Sequence, residues 1–147
     1  MMPAQMAEDK DDQLKYQVRL LIKHPDIDPA YITNSLGLTP NVSAIAGSTR
    51  KTPAGTVLPG VHKGSLWSHS FNVNGNRLFF SAIVEMMDKL EPQKTLLTEI
   101  VDTGGSIELI VNLPGIVNIG DVFPWHDMAR LCAMRINLGI EVFPKFD

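Results

Sequence analysis

The chain has 147 residues, of which 44% are apolar and 20% are charged, with 16 acidic and 13 basic side chains. This composition is typical of one globular domain, and it excludes the collagen-like, disordered and disulfide-rich classes. The single cysteine, Cys132, cannot form an intramolecular disulfide, and no His/Cys cluster has the spacing of zinc ligands. No stretch approaches the roughly 18 apolar residues of a membrane span. We therefore expect a cytoplasmic protein with no metal, no cofactor and no membrane contact.

Acidic residues are unevenly distributed along the chain. Residues 1–13 contain four acids and one base, and we expect a disordered acidic tail there, followed by a single domain over residues 14–147. The segment from Pro29 to Val84 contains no Asp or Glu, but it contains four bases: Arg50, Lys51, Lys63 and Arg77. That pattern is compatible with a cationic face that binds an anion, and equally with scattered bases on a solvated loop.

The first predicted element is a strand over residues 14–23, where apolar and polar side chains alternate with period two. Its polar face favours an antiparallel or mixed sheet, because strands of parallel sheets are usually apolar on both faces. His24-Pro25 ends the strand. Asp28 then stands as a helix N-cap, with Pro29 at the first helical position and Gly37 at the end, and this spacing predicts a short amphipathic helix.

Residues 38–64 are rich in proline, glycine, serine and threonine and show no sustained hydrophobic period. We expect a long loop there, with room for one short strand, and long loops in compact domains are often functional. Alternation returns over residues 65–73, which predicts a second strand with Trp67, His69, Phe71 and Val73 on its apolar face. Asn74-Gly75-Asn76 predicts a turn.

A wide apolar stripe over residues 77–90 predicts a helix that faces the core, and Pro92 suits the first position of the next helix. Gly104-Gly105 ends that helix, and residues 106–113 alternate as a third strand. Residues 116–122 fit either a strand or a loop.

A last helix is predicted from Pro124 to a stop at Gly139, followed by a strand over residues 140–146. Its expected inward side chains are Trp125, Met128, Leu131, Cys132 and Ile136. Pro144 favours an edge position for the terminal strand, because proline cannot donate to a sheet ladder.

These elements predict an α+β fold, a two-layer sandwich with one mainly antiparallel sheet of about four strands and helices packed on one face. The exposed edge strand at residues 140–146 would suit self-association.

The candidate catalytic motifs of the sequence are weak. Lys51-Thr52 resembles the end of a phosphate-binding loop, but the required glycines, the preceding strand and the following helix are absent. His69 lies between Trp67 and Phe71 on an apolar face, where a hydrogen-bonded structural histidine is commoner than a catalytic base. Nucleic-acid binding is not expected, because four bases in 56 residues do not form a dense basic stripe.

The segment Asp28-Pro29-Ala30-Tyr31-Ile32-Thr33-Asn34-Ser35-Leu36-Gly37-Leu38-Thr39-Pro40 resembles the bacterial domain-of-unknown-function family 4279. Gly64-Ser65-Leu66-Trp67-Ser68 is similar to that family's tryptophan-containing strand, and Leu90-Glu91-Pro92 followed by a helix fits its order of elements. The resemblance covers residues 14–146. It implies the fold but no catalytic residues and no established activity.

Two functions remain open. The first is a non-enzymatic binding or accessory protein, immunity-like in that it neutralises or accompanies a protein partner through the loop 41–64. The second is an enzyme that binds a small molecule or anion, with His69 as base. Its clamp would be formed by the ligand-binding candidates Arg50, Lys51, Lys63 and Arg77, beside Trp67.

Overall fold

The computed structural model describes residues 16–73, 78–115 and 119–143. The predicted tail, the turn at residues 74–76 and Arg77 lie outside these ranges. Seven strands are present in the described ranges: β1 (Tyr16–His24), β2 (Val42–Ala44), β3 (Thr49–Lys51), β4 (Val57–Val61), β5 (Ser65–Val73), β6 (Ser106–Pro114) and β7 (Asn137–Phe143). The helices are α1 (Pro29–Leu36), α2 (Phe79–Leu90), α3 (Lys94–Asp102) and α4 (Trp125–Ala133), with a 3₁₀ turn at Glu91–Gln93.

Five strands form one mixed sheet in the order β2-β5-β1-β6-β7, and β3 and β4 form a separate two-stranded sheet. The pairs β2–β5, β5–β1 and β1–β6 are antiparallel, whereas β6–β7 is parallel. The α+β class is confirmed. The expectation of about four mainly antiparallel strands is wrong, because the chain adds β2 at one edge and places β7 parallel to β6 at the other.

The predicted alternation of the first strand is confirmed in β1, which occupies the centre of the sheet. Tyr16, Val18, Leu20 and Ile22 are buried on one face. The opposite face is polar: Asn112 donates to the Gln17 side chain at 3.0 Å, and Arg19 lies 3.7 Å from Glu141. One buried face and one wet face are what period-two alternation predicts.

Helices cover only the apolar face of the sheet. Asp28 caps α1 by accepting a hydrogen bond from the backbone N–H of Ala30 at 2.9 Å, and Gly37 ends the helix in the left-handed conformation at φ 67°, as predicted. Leu78 supplies no side-chain cap for α2, so the Asp121 carboxylate, distant in sequence, accepts from Phe80 N–H at 3.0 Å. In the described ranges, no helix is long and apolar enough to cross a bilayer.

His24 fixes the turn that joins β1 to α1. Its Nδ1 accepts hydrogen bonds from the N–H groups of Asp26 and Ile27, at 3.1 and 2.9 Å, so Nε2 carries the proton and donates to Thr103 Oγ1 at 2.7 Å. The imidazole therefore ties this turn to the end of α3. Its ring nitrogens are both occupied by structural bonds.

The predicted long loop is ordered. It contains β2, β3 and β4, three short strands whose side chains are mostly exposed. Hydrophobic alternation cannot reveal such strands, because no face of them is buried in the core.

The last helix differs most from its prediction. α4 ends at Ala133 instead of reaching Gly139, which lies inside β7, and the turn between them places Arg135 at a positive φ of 59°. Leu131 and Ile136 are buried as predicted, but Trp125, Met128 and Cys132 are exposed. α4 covers the end of the sheet with one face only, and its second apolar stripe points to solvent.

Candidate functional site

The segment 45–64 forms a hairpin that extends from the sheet, and we call residues 49–61 the arm. The arm consists of β3, β4 and the turn between them, and all its residues except Thr52 and Leu58 are exposed. At its base, Gly47 N–H donates to the His62 carbonyl and His62 N–H to the Ser48 carbonyl, at 2.8 and 2.9 Å. These bonds fix the direction in which the arm leaves the domain.

A third bond connects the base of the arm to the sheet. Ala46 N–H donates to the Oγ of Ser65, the buried first residue of β5, at 3.0 Å. At the tip, Thr52 N–H donates to the Thr56 carbonyl and Gly55, at φ 90°, closes the turn. The arm is therefore an ordered hairpin on a fixed base.

Cationic and apolar side chains share the arm surface. Arg50 and Lys51 are exposed on β3, and the Arg50 guanidinium donates across the hairpin to the Pro59 carbonyl at 3.2 Å. Val57 is 64% exposed and Val61 53% exposed on β4. Because the sequence has no acid from Pro29 to Val84, no carboxylate of this segment neutralises these bases. Exposed valines beside bases that have no carboxylate in their own segment are chemistry suited to a protein contact.

A shallow groove of about 610 Å³ lies between α1 and the base of the arm. Its lining is mostly uncharged and combines the first turns of α1 with the chain around β2, including Asn34, Pro40, Ser43 and Ile45. Sequence analysis missed this groove, because α1 and β2 come together only through the pairing of β2 with β5.

Trp67 and His69 come together on β5, as their alternation predicts. Their rings stack with centroids 6.3 Å apart, and the buried Trp67 donates from Nε1 to Thr33 Oγ1 at 3.0 Å. His69 is half-buried and its Nδ1 donates to the Thr39 carbonyl at 2.7 Å. Among the described hydrogen bonds, none joins the His69 ring to a serine, threonine or cysteine side chain, so no nucleophile is paired with it.

The proposed anion clamp is spread over the surface. Lys63 lines a cleft of about 420 Å³ with Lys23 and His24, whereas neither His69 nor the two arm bases line that cleft. Arg77 lies outside the described residues. Within the described part of the chain, no group of three or more His, Cys, Asp or Glu side chains is placed to hold a metal ion.

A second charged cluster joins α4 to α2. Arg130 donates to Asp88 at 2.6 Å and to Glu91 at 2.9 Å, and lies 3.5 Å from Asp127. The hydrogen bonds that Arg130 donates lower the pKa of the exposed Glu91 carboxyl, and the acceptance of these bonds by Glu91 and Asp88 raises the pKa of Arg130. Because Arg130 on α4 bonds carboxylates at the end of α2 and in the following turn, this cluster is a structural clamp between helices.

Comparison with known proteins identifies the family of the chain. No curated protein and no solved structure matches the chain significantly. A family model described as "Domain of unknown function (DUF4279)" matches residues 13–141. This span covers all the strands and helices from β1 through α4 and most of β7. The chain therefore belongs to the DUF4279 family.

Proposed function

We propose that this protein is a non-enzymatic binding protein that contacts a partner protein through the arm and the groove at its base. The observation that supports this most is the arm itself, a hairpin that projects from the domain and carries exposed valines beside two exposed bases. A solvent-exposed hairpin of this kind adds little to the hydrophobic core. The hydrogen bonds that fix its base are therefore better explained by a role in contacting a partner protein.

The basic and apolar side chains of the arm indicate the kind of protein surface that it would bind. Arg50 and Lys51 attract carboxylates, and the exposed valines gain from burial once the partner excludes water. The expected partner is thus a protein with an acidic surface that surrounds an apolar patch. Electrostatic steering of this type raises the association rate and weakens as salt screens the charges.

The experiment compares two charge-matched double variants in a pull-down from native lysate. Arg50→Ser/Lys51→Ser removes the arm bases, and Lys89→Ser/Lys94→Ser removes two exposed bases from the helical layer. We expect the wild type and the helix variant to recover the same stoichiometric partner at low salt, and the arm variant to lose it. Recovery of no partner at low salt, or equal loss with both variants, would contradict the proposal.

A further inference from the structure

A second apolar surface lies at the opposite edge of the sheet, on β7 and α4. On β7, Ile140 is 52% exposed and Val142 59% exposed, although both pair with buried residues of β6, Val111 and Leu113. They therefore lie on the helix-covered face of the sheet, at a place where no described helix covers them. On α4, Trp125 is 78% exposed.

The exposed stripe of α4 lies on the side of the helix that faces away from α2. Arg130 reaches Asp88 at the end of α2 and Glu91 in the 3₁₀ turn that follows, and Asp127 lines a cleft with α2 residues, so these two positions define the side toward α2. At 100° per residue, Trp125, Met128 and Cys132 lie on a different side of the helix from both. α4 is the crossover between the parallel strands β6 and β7, whereas α2 packs against β1, so the side of α4 that faces away from α2 is the side toward the β7 edge.

Among the strands that the structure describes, β7 is the last of the sheet and has a neighbour on one side only. The Phe143 carbonyl accepts from Gly115 N–H at 2.9 Å, which shows that residue 143 directs its polar groups toward the β6 side. Alternation along a strand then directs the N–H and C=O groups of Leu138, Ile140 and Val142 away from β6. These six groups can pair with another strand.

We infer that a second copy of this chain occupies the edge, with β7 paired antiparallel to its counterpart about a two-fold axis at Ile140. In this register Ile140 faces Ile140 and Leu138 faces Val142 of the other copy, and all six outward backbone groups are paired. The side chains of these residues share the helix-covered face, so the same register brings apolar side chains together.

Charge and area both favour an identical partner. Glu141 is the one ionisable residue of β7, and it lies on the opposite face beside Arg19, so the patch carries no charge that would select an oppositely charged protein. Ile140, Val142 and Trp125 each expose more than half of their surface, which leaves a large apolar area on this side of the domain. Contiguous apolar patches of about 300–600 Å² on a monomer often mark interaction sites.

The other edge of the sheet makes a closed dimer more favourable than a filament. β2 has only three residues, and the chain beyond it turns away into the arm. Pairing of β7 with β2 of the next copy would therefore leave most of β7 unpaired, whereas two β7 strands satisfy each other completely. An interface of a surface with itself closes after two copies.

Light scattering of the full-length chain over a range of concentrations tests this inference. We expect a mass of twice 16.2 kDa for the wild type. Ile140→Lys should raise the dimer dissociation constant by at least ~100-fold, because each dimer would bury two unpaired ammonium groups. Val57→Lys, a matched change at an exposed valine of the arm, should leave the mass at that of a dimer.

Alkylation of Cys132 supplies a second measurement that does not depend on the mass. Its rate should fall as the wild-type concentration rises, and Ile140→Lys should abolish that dependence while circular dichroism stays that of the wild type. A monomeric mass for the wild type at its highest soluble concentration would overturn the inference. A dimer that persists in both Ile140→Lys and Val142→Lys would place the interface elsewhere and also overturn it.

Discussion

The two edges of the five-stranded sheet differ in every property that governs association. The β2 edge is three residues long and continues into a projecting cationic hairpin. The β7 edge is seven residues long, apolar on its helix-covered face and bordered by an exposed helical stripe. Both are built on the same three central strands, β5, β1 and β6, which bury most of their apolar side chains.

This difference separates two kinds of contact on one domain. Short edge strands and projecting hairpins prevent sheets from pairing edge to edge, so the β2 edge is protected against self-association. A long apolar edge strand lacks that protection and needs a covering partner. The proposed dimer contact at β7 and the proposed partner contact at the arm therefore lie at opposite edges of one sheet and should not compete.

The largest expected effect is on the free energy of unfolding, and it should differ between the two tryptophans, which lie near opposite edges of the sheet. Trp67 is 0% exposed and Trp125 is 78% exposed. Trp67→Ala should lower the free energy of unfolding by about 3–5 kcal/mol, because it removes a large buried side chain. Trp125→Ala should change it by less than about 0.5 kcal/mol in the monomer. Urea unfolding at low protein concentration measures both, and equal losses would show that Trp125 is packed.

A smaller effect is expected from the partner of Trp67. Thr33→Val keeps the shape of the side chain but removes the acceptor for the buried indole N–H, 3.0 Å away. An unsatisfied buried donor costs about 1–3 kcal/mol. Thr98→Val is the control: Thr98 is half-buried on α3 and its hydroxyl donates to carbonyls of its own helix, so this variant should change the unfolding free energy much less. The measurement is the same urea titration, and equal effects of the two variants would contradict a structural role for the Thr33 hydroxyl.

Removal of the arm should change stability still less. Replacing Thr49–Val61 with Asn-Gly, a two-residue hairpin turn, should alter the unfolding free energy by at most about 1 kcal/mol, since exposed residues contribute little and loop closure depends weakly on length. Calorimetry measures this change. The shortened protein should still dimerise but lose its partner, and a loss of dimerisation would show that the two edges are not independent.

The smallest effect concerns α4, which borders the β7 edge. Arg130 lowers the pKa of Glu91, so the stabilisation from this pair is complete above the ordinary pKa of 4.5 and disappears as the pH falls through the lowered value. Arg130→Ala should raise the pKa of Glu91 toward 4.5, as followed by NMR titration of its carboxyl carbon. Arg135→Ala removes an equal charge, but the native Arg135 side chain pairs with Asp102 instead of Glu91. This variant should therefore leave the pKa of Glu91 unchanged.

The sequence predicted best where burial and capping leave a local pattern. β1 and β5 were recognised from alternation because each has one buried face, and α1 from Asp28, Pro29 and Gly37 because caps and prolines act on the nearest backbone groups. The resemblance to DUF4279, drawn from these capping and packing positions, was confirmed by the family model that matches residues 13–141.

The sequence failed where the outcome depends on distant neighbours. Trp125, Met128 and Cys132 have the spacing of an inward stripe, but the position of α4 at the edge of the sheet turns Leu131 inward and leaves that stripe exposed. The strands of the arm bury no face, so the sequence shows no period-two hydrophobic alternation that would predict them. The groove beside α1 was likewise not predictable from a sequence pattern, because residues far apart in sequence form it. The functional roles of Arg50, Lys51, Lys63 and His69 stay predictions.

The central position of β1 has a consequence for synthesis. β1 precedes both of its neighbours, and the second of them, β6, ends at Pro114. At the usual ribosomal rate, about 5–20 s separate the appearance of His24 from that of Pro114. Throughout this interval the apolar face of β1 lacks its complete sheet and remains open to chaperones or to other nascent chains. Folding of the domain is therefore timed by the emergence of β6, the last strand that β1 requires.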